Sequence, residues 1–135
     1  MLEKGFERDF GALGDIVEFT ERYLSDQNID ESFAWSINLA VEELFTNMVR
    51  HNTGAGHPIV IGFGMDANRL IVHLIDDDVD PFDPSTIPEV KMDEAIDERN
   101  VGGLGLHLVK SIVDKITYEY QNRRMKVTIE KNLER

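Results

Sequence analysis

Glu43 and Asn47 stand four residues apart, with Arg50 and His51 a turn further on, in a segment whose apolar residues recur at helical spacing. Residues at that separation share one face of a helix. A carboxylate followed by a carboxamide one turn later suits a nucleotide site that uses a divalent cation. The amide oxygen can ligate a hard ion, and the carboxylate can take the proton of an attacking hydroxyl or water. An isolated Glu-x-x-x-Asn is ordinarily a solvated polar pair, so its meaning depends on what accompanies it.

Two other segments do. Leu74-Ile75-Asp76-Asp77-Asp78-Val79-Asp80-Pro81-Phe82-Asp83-Pro84 places carboxylates at the end of an apolar strand, where one can accept the amino group of adenine. The alternation Asp76/Asp78/Asp80 opens like a calcium loop. That template then requires glycine at its sixth position and glutamate at its twelfth, and Pro81 and Ile87 stand there. The third segment, Asn100 to Val109, has glycines at 102, 103 and 105 ahead of an apolar run. Glycine lets the backbone approach a ligand closely, and a helix start offers free N–H groups and the positive end of its dipole to phosphate.

Composition narrows the function classes. With 135 residues, 41% hydrophobic and 30% charged, the chain is expected to form one globular domain spanning 1–135. No cysteine is present, which removes disulfides and thiolate chemistry and fits a reducing, cytoplasmic setting. The first residues lack the apolar core of a signal peptide, and no run approaches a membrane span. A net charge of −12 argues against nucleic acid as a direct partner. It also obliges any phosphate ligand to rely on backbone N–H groups, a helix dipole and a cation rather than on lysines. His51, His57, His73 and His107 show no metal-ligand spacing, and P-loop, nucleophile-elbow and Rossmann patterns are missing.

The elements that must position these residues follow from periodicity. Leu2 to Phe10 reads as a first strand and Ala12 to Leu24 as a helix. After Asp30-Glu31-Ser32, a long helix runs from Phe33 to about His51 on the stripe Phe33, Ile37, Val41, Leu44 and Met48. Ile59–Met65 and Leu70–Ile75 flank the turn Asp66-Ala67-Asn68-Arg69 as a hairpin. Residues 81–100 read as a long loop or lid, and Leu104 to about Val113 as a helix. Ile116–Tyr120 and Met125–Lys131 close the chain as a second hairpin. Trp35 is expected in the core. The order β-α-α-β-β-lid-α-β-β predicts an α+β, two-layer sandwich: helices on one face of a mostly antiparallel sheet.

Those three segments, in that order, resemble the GHKL ATPase fold, and most of all its anti-sigma-factor serine/threonine kinases of bacterial partner-switching systems. Ala40 to His51 is similar to that family's N box, Asp77 to Pro84 to its first glycine box and Gly102 to Val109 to its second. The resemblance implies ATP and Mg²⁺ as cofactors, Glu43 as general base and Asn47 as metal ligand. It further implies Asp77 on the adenine amino group, supported through water by Thr128, and Arg50, Phe82, Gly102, Gly103, Leu104, Gly105 and Leu106 around the nucleotide. Asp77 is preferred among the aspartates because it stands four residues before Pro81. Val79 departs from the family's glycine, and a β-branched residue resists φ > 0. The implied activity is phosphorylation of a STAS-type antagonist, with a sigma factor as second partner and pairing of two copies through the first strand. The alternative is a catalytically weak or inactive partner-switching module of the same fold.

Overall fold

Apolar residues in the strands recur at every second position, which turns one face of the sheet towards the helices and leaves the other open. The computed structural model describes residues 1–51, 56–80 and 101–134, with side chains for all of these except 101–106. The strands are β1 (Leu2–Phe6), β2 (Ile59–Asp66), β3 (Arg69–Asp76), β4 (Lys115–Gln121) and β5 (Arg124–Asn132). They form a five-stranded sheet in the order β1-β2-β3-β5-β4, with every pairing antiparallel. The helices are α1 (Leu13–Asp26), α2 (Ala34–His51) and α3 (Val101–Ile112), with short 3₁₀ turns at Phe10–Ala12 and Glu31–Phe33. The predicted order of strands and helices and the helix-on-sheet architecture are both present.

Turn chemistry explains the two hairpins. Ala67 carries φ 53° between β2 and β3, and Asn122 and Arg123 carry φ 54° and 62° between β4 and β5. Two consecutive left-handed residues in the second turn, and one at the first central position of the other, match the right-handed twist of the strands they join. Asp9 and Asp30 accept the N–H of Gly11 and Ser32 and so start the two 3₁₀ turns.

The core lies between the sheet and the helices. Ile59, Ile61 and Phe63 of β2, Leu70, Val72 and Leu74 of β3, and Met125, Val127 and Ile129 of β5 meet Ile37, Val41, Leu44, Phe45 and Met48 of α2. Beneath α1, Phe19 lies 5.6 Å from Phe6 and 5.4 Å from Phe63, and Tyr23 stacks on Phe63 at 5.1 Å. Such ring pairs add to the burial itself.

Two expectations are corrected here. Trp35 is 69% exposed and takes no part in the core. It sits two residues before Ile37, off the stripe that packs on the sheet. The third helix, expected from Leu104, includes Val101 to Ile112, so Gly102 and Gly103 are helical rather than part of a preceding loop. Glycine disfavours a helix by about 1 kcal/mol per residue, but α3 packs along α2 and buries Val109, and such packing supplies most helical stability in proteins. The lid assigned to residues 81–100 lies outside the described residues. No helix among the described residues is long and apolar enough to cross a membrane.

Candidate functional site

The C-terminal half of α2 supplies the first two groups. Leu44 and Met48 anchor this half to the sheet, which leaves Glu43 and Asn47 together on its flank. Asn47 is buried, and its Nδ2 donates to the Glu43 carbonyl at 2.6 Å. That bond commits the amide's donor to the helix and leaves its oxygen as the end suited to a cation. Burial pushes the Glu43 carboxyl above its ordinary range; Arg50 opposes this and Glu42 reinforces it. A half-buried carboxylate with raised proton affinity is a competent base. Arg50 lies over the Phe10 ring, 5.7 Å from its centroid. Among the described residues no cluster of three or more His, Asp or Glu could hold a metal ion. A cation here would rest on the Asn47 oxygen and on oxygens of its ligand.

At the end of β3 the carboxylate on the helix side is Asp76. Leu70, Val72 and Leu74 face the helices, and by the same alternation so does Asp76, which is fully buried. Asp77 is turned the other way. It lies in a depression of about 430 Å³ lined by Glu119, Gln121, Asn122, Arg124 and Lys126, with Arg124 Nε donating to its carboxylate at 2.6 Å. That hydrogen bond holds the Asp77 carboxyl below its ordinary range. Thr128 is also on the open face, 3.1 Å from His73 Nδ1. The structure therefore does not bring Asp77 and Thr128 together with Glu43 and Asn47. The residue opposite Asp76 on β5 is Met125, also buried.

The loop after β3 resolves the role of Val79. The left-handed residue is Asp78, at φ 55°, while Val79 does not have a positive φ and is buried. Aspartate tolerates this conformation far better than valine. The frame Asp76-x-Asp78 thus has the carboxylate and the left-handed position two residues apart, one step earlier than spacing to Pro81 suggests. Val79 is fixed by its own backbone: its N–H donates to the Arg123 carbonyl at 3.0 Å and its carbonyl accepts from Tyr120 Oη at 2.7 Å. Outside, Arg123 pairs with Asp78 at 2.9 Å and Asp80 at 3.1 Å.

The glycine segment contributes the start of α3. The described part of this helix opens with Val101, Gly102, Gly103 and Leu104, and the first N–H groups of a helix have no partner within it. Gly105 and Leu106 follow in the same helix. Phe82 lies outside the described residues.

Sequence reasoning gave no role to two side chains that the structure pairs at the end of β3, Asp76 and Arg8. Asp76 had a signal, the parity of β3, which puts it on the helix side. Arg8 had none: its partners are 40 to 68 positions away. It bonds both oxygens of Asp76, at 2.6 and 2.8 Å.

Comparison with known proteins agrees with this architecture. Among solved structures, the chain is similar to the RsbU and RsbW domains of Rv1364c from Mycobacterium tuberculosis, with a TM-score of 0.71 and 16% identity. That match covers 99% of this chain but 32% of the other, so this chain spans about a third of its length. It is also similar to the SiaB–SiaC complex from Pseudomonas aeruginosa (TM-score 0.65, 15% identity, 96% of this chain and 88% of that one). A third likeness is to the histidine kinase AdeS of Acinetobacter baumannii (TM-score 0.53, 18% identity, 100% of this chain and 70% of that one). At these identities the likeness is one of fold. No curated protein matches the sequence. The histidine kinase-like ATPase domain matches residues 6–131, nearly the whole chain, and the protein belongs to that family.

Proposed function

We propose that this domain binds ATP with Mg²⁺ and acts as an anti-sigma regulatory factor, phosphorylating a serine or threonine of a STAS-type antagonist and holding a sigma factor. The observation that carries the reading is the pair on α2, a half-buried Glu43 with raised proton affinity one turn from a buried Asn47 whose donor is already bound. The resemblance to RsbW-type domains supports the partner class, and family membership supports the nucleotide.

ATP would supply the phosphoryl group, and Mg²⁺ would neutralise charge on its phosphates. Glu43 would take the proton of the incoming serine or threonine hydroxyl as its oxygen bonds the γ-phosphorus and the bond to the β,γ-bridging oxygen breaks, with ADP as the leaving group. Asn47 offers its oxygen to the cation. Backbone N–H groups at the start of α3 would suit phosphate oxygens, and Gly102 and Gly103 leave no side chain in the way. In this reading the base amino group meets Asp76 instead of Asp77, because Asp76 is the carboxylate on the helix side. Pairing of two copies through β1 is supported by its place at the sheet edge, with Leu2 exposed.

The test is phosphate transfer from labelled ATP to a purified STAS-domain antagonist in the presence of Mg²⁺. Transfer to a serine or threonine that is lost in Glu43→Gln supports the kinase. ATP binding without transfer would leave a partner-switching module without catalysis.

A further inference from the structure

Arg8 lies between β1 and the first 3₁₀ turn, in no regular element, yet its side chain is only 9% exposed and that of Asp76 1%. Its Nη1 donates to Asp76 Oδ1 at 2.6 Å and to the His57 carbonyl at 3.2 Å. Its Nη2 donates to Asp76 Oδ2 at 2.8 Å and to the Met48 carbonyl at 3.3 Å. One planar fork thus joins four stretches of chain: the end of β1, the last turn of α2, the entry to β2 and the end of β3.

The chemistry of each contact is specific to arginine. Met48 lies in the last turn of α2, where carbonyls lack partners within the helix and the dipole is negative, so a guanidinium fits there. The two parallel bonds to Asp76 fix the plane of the carboxylate as well as its place. Each carboxylate oxygen has a second lone pair, so Asp76 can still accept a hydrogen bond while Arg8 holds it. Asn47 immediately precedes Met48, so the same fork also sets the distance between the end of α2 and the end of β3.

We propose that Arg8 is the positioning residue for base recognition: it locks the Asp76 carboxylate so that the site accepts an amino-purine and rejects a base that presents a carbonyl. This rests on the reading that Asp76 meets the nucleotide base. A carboxylate clamped in one plane cannot turn from the carbonyl oxygen of guanine. One released from the clamp can rotate and tolerate it. Arg8 therefore acts on selectivity through Asp76, without touching the ligand.

The experiment measures Mg²⁺-ATP and Mg²⁺-GTP affinity by calorimetry for the parent chain, Arg8→Met and Arg8→Lys, alongside thermal melts. The parent should favour ATP, and both variants should lose about tenfold or more of the ATP-to-GTP affinity ratio, the scale of one unsatisfied buried polar group. Should Arg8→Met fail to fold, Arg8→Lys decides, since an ammonium keeps the charge but cannot hold both oxygens and two carbonyls together. A variant that melts earlier but keeps the parent's ratio overturns the proposal and makes Arg8 a structural clasp. A parent that binds ATP and GTP equally overturns it too. A parent that binds neither overturns the nucleotide-site reading itself, and the proposal with it.

Discussion

Each residue of the candidate site carries chemistry that a single atom change can test. Glu43 is buried enough to raise its proton affinity, so its charged form destabilises the fold at neutral pH. The folded chain binds this proton more tightly than the unfolded chain does. The favourable contribution is thus complete below the ordinary glutamate pKa and lost as pH rises through the raised one. Glu43→Gln should therefore melt at a higher temperature than the parent at pH 7, with the difference closing as pH falls into the ordinary carboxylate range. The same variant should lose about 10²–10⁴-fold in phosphate transfer while keeping its ATP affinity, because proton removal belongs to the transition state. A variant that is stabilised yet fully active would remove Glu43 from catalysis. The aspartates separate as cleanly. Asp76→Asn should weaken ATP by roughly 1–3 kcal/mol, since an amide donor would face a base donor and Arg8 would lose one acceptor. Asp77→Asn, on the open face, should leave calorimetric ATP affinity unchanged; the reverse pattern would restore the frame that spacing to Pro81 suggests.

Elements were more legible in the sequence than the orientation of their ends. The stripe on α2, the two hairpins and the element order could all be read because each rests on local periodicity and turn chemistry. Glu43 and Asn47 could be placed on one face for the same reason. The errors arose where long-range packing decides. Trp35 belongs to a helix whose buried face is set by the sheet, and α3 starts early because it packs on α2 despite its glycines. The loop after β3 shows the physics of such an error in one pair of residues. Val79 stands where the family's glycine is expected, but the left-handed residue is Asp78 and the Val79 side chain is core. Val79→Gly should therefore not rescue anything. It should cost roughly 1.5–3 kcal/mol in urea unfolding, the value of burying a valine-sized side chain. Asp78→Gly should be close to neutral, since glycine adopts this conformation without strain and the lost pair with Arg123 is exposed. Equal destabilisation by both would mean that the loop follows a different path.

At the scale of the whole molecule, charge is the property that most constrains the function. A chain with net charge −12 that binds a polyphosphate works against its own field. The described part of the site offers backbone N–H groups to the phosphates and the Asn47 amide oxygen to the cation, so in this reading attraction comes chiefly from short-range hydrogen bonds and from the cation. Screening then acts in an unusual direction. Added salt weakens the long-range repulsion, whose reach falls to about 8 Å at physiological ionic strength, while hydrogen bonds inside the site are little affected. Mg²⁺-ATP affinity measured by calorimetry should therefore stay level or rise as KCl increases from low to physiological concentration at fixed Mg²⁺. Removing Mg²⁺ with a chelator should weaken ATP most strongly at low salt, where the uncovered phosphate charge meets the unscreened field. A site built on a basic patch behaves in the opposite way, losing affinity steadily as salt competes with its phosphate contacts. A steep loss of Mg²⁺-ATP affinity with KCl would thus locate cationic side chains on the phosphates and overturn the view that backbone and metal carry them.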